Sequence, residues 1–130
     1  MNGLLLDTHI LLRAANGSLD SQLLDRLQGE ANLFVSSVSL WEIAIKVGLG
    51  KLQLDMTIED LIGDYLSRSG MVIIPISVDE IAAYASLAFP NPNHRDPFDR
   101  MLIVQTLSRN LALLTSDLAL TVYGTSVEVV

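Results

Sequence analysis

The sequence contains no cysteine, which removes disulfides, zinc–thiolate centres and cysteine nucleophiles from consideration. It has no apolar run near the roughly 20 residues that span a bilayer. The opening segment "MNGLLLDTHILLRAA" resembles a signal peptide superficially, but Asp7 and His9 interrupt it and no basic stretch precedes it. A soluble cytoplasmic protein without membrane contact is the expectation. Positive charge is scarce as well: 8 Lys and Arg face 15 Asp and Glu, a formal net charge of −7. That balance argues against coating nucleic acid by bulk electrostatics. It leaves open contact with phosphate through a bound divalent cation. Repeats, linkers and low-complexity tracts are also missing, so residues 1–130 read as a single domain.

What is present is an apolar half whose pattern switches repeatedly between short strand-like runs and helical periodicity. That alternation marks an α/β fold with a largely parallel sheet. "LLL" before Asp7, "ANLFVSS", "MVIIPI", "LALLT" and "SVEVV" read as strands, giving a three-layer α/β/α arrangement around about five short strands. Between them, helices are expected from Ile10 to Asn16, from Ser18 or Asp20 to Gly29, and from Ser37 or Ser39 through "LWEIAIKVGLG". Further helices are expected from Thr57 to Gly70, with Asp60 as reciprocal cap partner, from Val78 to Phe89, and from Pro97 to Arg109.

Five of the acidic residues stand out by position. Asp7 ends the first strand, Glu42 lies early in the helix after the second, Asp96 and Asp99 open the helix at Pro97, and Asp117 follows "LALLT". In an open parallel sheet, ligands bind beyond the carboxyl ends of the strands, so all five are expected at one edge. Converging carboxylates repel unless protons or cations neutralise them. Hard oxygen donors select Mg²⁺ or Mn²⁺ rather than zinc, and two such ions about 3.5–4 Å apart can drive hydrolysis of a phosphodiester by an activated water.

Each acid also has a simpler reading. Asp7, Asp96 and Asp117 suit helix caps or turns, and Glu42 with Lys46 suits a surface i,i+4 ion pair. Arg95 and Arg100 flank the paired aspartates and, with Arg13 and Ser116, are candidate contacts to a substrate's phosphate backbone; His94 is read chiefly as a loop stabiliser. Trp41 is read chiefly as packing, in the core or between two copies. A DNase of the flap-nuclease type, an aspartyl-phosphate enzyme, and a non-catalytic acidic binding or dimerisation module remain the alternatives.

The motifs "LLLDTH", "SSVSLWEI", "HRDPFDRMLIVQ" and "LLTSD" resemble, in this order, those of the PIN domain, specifically VapC-like toxins of bacterial toxin–antitoxin pairs. The resemblance implies an Mg²⁺- or Mn²⁺-dependent endoribonuclease, usually a homodimer and sometimes part of a larger assembly, restrained by a cognate VapB-like antitoxin. By position it implies metal-binding and catalytic roles for Asp7, Glu42, Asp99 and Asp117, with Asp96 as a fifth contributor. It also suggests that Ser37 and Ser116 support the acids. The run "LIVQT" after Asp99 is bulkier than the family pattern.

Overall fold

A computed structural model describes residues 2–130; Met1, the first residue of the expected domain and of the signal-like segment, lies outside the described residues. Strands β1 (Leu4–Leu6), β2 (Leu33–Ser36), β3 (Met71–Ile74), β4 (Ala112–Thr115) and β5 (Val127–Val129) form one sheet in the order β3-β2-β1-β4-β5. Every pairing is parallel. Parallel neighbours cannot be joined by a tight turn. Helices α1 (Thr8–Ala15) and α2 (Ser21–Gln28) therefore lie between β1 and β2, and α3 (Ser37–Gly48) follows β2. Next, α4 (Ile58–Asp60), a π-helical turn (Leu61–Tyr65) and α5 (Leu66–Arg68) run on as one helix over residues 58–68. Helices α6 (Val78–Ala85) and α7 (Pro97–Arg109) connect β3 to β4, and a 3-10 turn (Leu118–Tyr123) precedes β5.

The sheet is covered on both faces because its strands alternate with period two. In β1, Leu4 and Leu6 enter a core with Ile10, Leu27, Ile43 and Leu61, while Leu5 enters the opposite core with Leu102, Ile103 and Leu113. All three β1 leucines are at most 1% exposed, so truncating Leu5 to alanine should cost about 2–5 kcal/mol. The chain winds outward from β1 through β2 to β3, then returns to place β4 on the other side of β1. The β1/β4 boundary is thus the topological switch point, where open α/β sheets form their clefts. Among the described residues, no helix is long and apolar enough to cross a membrane.

Three local features differ from expectation. Ser36, the last residue of β2, caps α3 by accepting from Val38 N at 3.1 Å, rather than Ser37 or Ser39. At Thr57 only half of the reciprocal cap is made, with Asp60 N donating to Thr57 Oγ1. The complete capping box is Ser77 with Glu80. The helix beginning at Val78 ends at Ala85 rather than Phe89: Pro90 disfavours helical backbone at Phe89, and Arg100 binds the carbonyls of Leu87 and Ala88.

Candidate metal centre

Asp7 is 3% exposed at the carboxyl end of β1. It caps α1 through Oδ1, which accepts from Ile10 N at 2.9 Å. Its other oxygen accepts the hydroxyl of Thr115, the last residue of neighbouring β4. That same hydroxyl oxygen accepts from Asp117 N at 3.0 Å, so Thr115 joins the two strand ends. Burial raises the Asp7 carboxyl above its ordinary range, with the bonds from Thr115 and Ile10 opposing.

From α3, Glu42 turns inward and is buried. Its Oε2 accepts from Lys46 Nζ at 2.8 Å, as the i,i+4 spacing predicts. Its Oε1 is buried with no partner, an uncommon and costly state for a carboxylate oxygen. The Lys46 ammonium is held above its usual range by the Glu42 bond, with help from the charges of Asp96 and Asp99.

The loop before α7 contributes the rest. Asp96 caps α7, accepting from Asp99 N at 3.0 Å, and Pro97 occupies the first turn where its missing N–H is harmless. Asp99 is consequently aimed from the first turn, and its Oδ2 lies 3.3 Å from His94 Nε2. Burial, followed by repulsion from Asp96 and more weakly from Glu42, pushes the Asp99 carboxyl up to about 6 against the pull of His94. Asp117 is exposed and caps the 3-10 turn through Ala119 N. Among the described residues, His94, Asp99 and Asp117 present ligand atoms that all lie within 4.8 Å of one another.

The expected acids therefore divide. Asp99 and Asp117 converge, Glu42 adds to the field at Asp99, Asp7 connects to the Asp117 backbone through Thr115, and Asp96 serves as a cap on the rim. A divalent ion suits this donor set on two counts: carboxylate oxygens predominate, and one buried Glu42 oxygen lacks any partner beside an Asp99 carboxyl raised by burial and by repulsion from Asp96.

The basic residues depart further from expectation. Arg100 is 1% exposed. Its guanidinium lies 3.6 Å above the Phe89 ring and donates to loop carbonyls. Arg100 is thus an internal brace and not an RNA contact, because its donors face the core. Arg13 pairs with Asp20 at 3.8 Å; Arg95 is exposed and donates to Pro92 O. Ser116 is exposed, and the hydroxyl that meets Asp7 and the Asp117 backbone is that of Thr115 rather than Ser37 or Ser116; Thr8 donates to Ser39 at 2.9 Å, joining α1 to α3. His94 is more than a loop stabiliser, since its ring enters the cluster. "NHRD" directly before the cap was the one signal for it.

A fully parallel α/β sheet with carboxylates gathered at its switch point defines a class of fold in which acidic side chains at strand ends form the cleft. The chain belongs to the PIN domain family, whose model matches residues 4–124. No curated protein matches the chain. Among solved structures, it is similar to a chain of VapBC2 from Rickettsia felis bound to a promoter DNA fragment, with TM-score 0.71, 20% identity and 96% of each chain covered. It is similar also to a chain of FitAcB from Neisseria gonorrhoeae (TM-score 0.70, 18% identity, 95% of each chain covered). A third similar chain comes from a toxin–antitoxin complex of Klebsiella pneumoniae (TM-score 0.60, 17% identity, 88% of this chain and 86% of that one).

Proposed function

We propose that this chain is a divalent-metal-dependent endoribonuclease, the VapC-like toxin of a toxin–antitoxin pair, acting in the cytoplasm. The observation that carries the reading is the convergence of His94, Asp99 and Asp117 within 4.8 Å, beside a buried Glu42 oxygen without a partner. Asp7, Glu42, Asp99 and Asp117 are the residues that would hold Mg²⁺ or Mn²⁺, with Asp96 assisting. When bound, the ion supplies positive charge for the scissile phosphate and acidifies a water, so hydrolysis needs no side-chain nucleophile. Asp7 and Thr115 hold the two strand ends at a fixed separation, Asp96 fixes the first turn from which Asp99 projects, and Lys46 restrains Glu42. Arg13, Arg95 and Ser116 are the groups assigned to the RNA backbone.

The partner proposal follows from the family and from the similar Klebsiella chain, which was solved in a toxin–antitoxin complex. A cognate antitoxin would cover the cleft, and a second copy would form the dimer. Trp41 is 60% exposed, packs edge-on against Phe98 and lines an apolar groove of about 290 Å³ with Val38, Ile81 and Met101. This face is assigned to the second copy, and Trp41→Glu should shift the protein toward monomer in sedimentation.

The decisive assay is cleavage of a defined RNA panel, transfer RNAs included, with paired DNA versions, in Mg²⁺ and in chelator. Mg²⁺-dependent cutting of RNA that disappears in Asp7→Asn supports the reading. Cutting of DNA alone favours the DNase alternative, and wild-type rates from Asp7→Asn would overturn the site assignment.

A further inference from the structure

His94 lies among the candidate ligands, and its geometry raises the question of whether it binds the ion or orients a residue that does. Its Nδ1 is 2.7 Å from the Tyr123 hydroxyl and its Nε2 is 3.3 Å from Asp99 Oδ2. The Tyr123 oxygen also receives Arg100 Nη1 at 3.2 Å. Arginine carries donors only, so the tyrosine oxygen is the acceptor in that bond and its single hydrogen is free to point at His94. A neutral imidazole receiving a hydrogen at Nδ1 carries its own proton on Nε2. The bonds then run in one direction: Arg100 to Tyr123, Tyr123 to His94, and His94 to Asp99. Arg100 is itself immobilised by the Leu87 and Ala88 carbonyls and by the Phe89 ring.

We infer that His94 is a positioning residue rather than a metal ligand: locked with its proton on Nε2 by Tyr123 and Arg100, it donates to one oxygen of Asp99 and turns the other toward the ion. The inference rests on the metal-site reading of Asp99. An Nε2 that carries hydrogen has no lone pair to offer a cation, and ligating carboxylates commonly depend on such outer hydrogen bonds for orientation. This assigns work to three residues from separate segments: His94 in the loop before α7, Arg100 in α7 itself, and Tyr123 in the 3-10 turn.

Nitrogen-resolved NMR of the histidine rings tests this directly, because the chain has two histidines and His9→Gln identifies the signals of His94. With the ring neutral and no metal present, His94 should show a protonated Nε2 and a bare Nδ1, and should keep that form when Mg²⁺ is added. Tyr123→Phe should mix the two tautomers. In Mn²⁺ titrations, His94→Ala should weaken affinity about 10-fold, and His94→Gln, whose amide can still donate, should recover most of it. A proton on Nδ1 in the wild type, loss of the Nε2 proton on Mg²⁺ binding, an unchanged tautomer in Tyr123→Phe, or equal weakening by alanine and glutamine would each overturn the inference. If the wild type binds no metal and cuts no RNA, the nuclease reading fails, and the tautomer measured without metal still reports on the Arg100–Tyr123–His94 order.

Discussion

Glu80 and Asp99 are both acidic residues set in the first turn of a helix, yet their surroundings drive them in opposite directions. Burial disfavours the Glu80 charge, but Arg109, Ser108, Ser77 N–H and Gln105 outweigh it and hold the carboxyl at about 2. Its Oε2 accepts from the Ser108 hydroxyl at 2.6 Å and Arg109 Nε at 3.0 Å, and its Oε1 completes the capping box through Ser77 N. Asp99 faces Asp96, Glu42 and one histidine, and its carboxyl rises to about 6. A carboxylate whose oxygens are satisfied from within serves the fold. One pressed against like charges, next to a bare Glu42 oxygen, lowers stability until a cation arrives, which is the arrangement expected of functional sites.

The sharpest break of this comparison is chemical. Asp99→Asn should lower RNA cleavage by at least about 10²–10³-fold, whereas Glu80→Gln should leave the rate near wild type in a fixed-substrate assay. Stability should respond the other way. Glu80→Ala should cost about 3 kcal/mol in urea denaturation, since it removes a cap and strands Arg109, while Asp99→Asn should raise the midpoint of the metal-free protein.

Acidity separates the two regions further. Asp99 has a folded value of about 6 against an ordinary 3.8, so the native state binds the extra proton between those values. Metal-free stability should therefore fall as pH rises from about 4 through about 6, by about 3 kcal/mol from this group, and Asp99→Asn should lack that part of the fall. Glu80 has a folded value of about 2 against 4.5. Its contribution is present above about 4.5 and should be lost as pH falls toward 2. Denaturant midpoints measured across pH for the wild type and both variants check each sign. The smallest effect belongs to Lys46→Ala, about 0.5 kcal/mol, because that ammonium is 41% exposed.

Much of the fold was legible because local signals agreed with it. Helix α7 begins at the expected Asp96–Pro97 start and ends at Arg109, where Asn110 adopts left-handed backbone at φ 53°. The strands were readable as apolar runs, and the acids at their ends as an edge. Features set by distant partners were not. Arg100 beside Asp99 reads as a substrate contact at the edge of the acidic pair, yet one residue along a helix rotates the side chain by about 100°, enough to bury it under Phe89. His94 acquires its place from Tyr123, 29 residues away, which no local spacing shows. The supporting hydroxyl is Thr115 rather than Ser116 because β4 ends at Thr115, and the register that sets Leu6 beside Leu114 brings the next pair, Asp7 and Thr115, together.

Isothermal titration of Mg²⁺ or Mn²⁺ into wild type, Asp99→Asn and Glu80→Gln tests the metal centre most directly. We expect saturable binding by the wild type and Glu80→Gln, and its loss in Asp99→Asn. Absence of binding by the wild type at millimolar ion, or equal binding by Asp99→Asn, would contradict the assignment of these carboxylates to a metal.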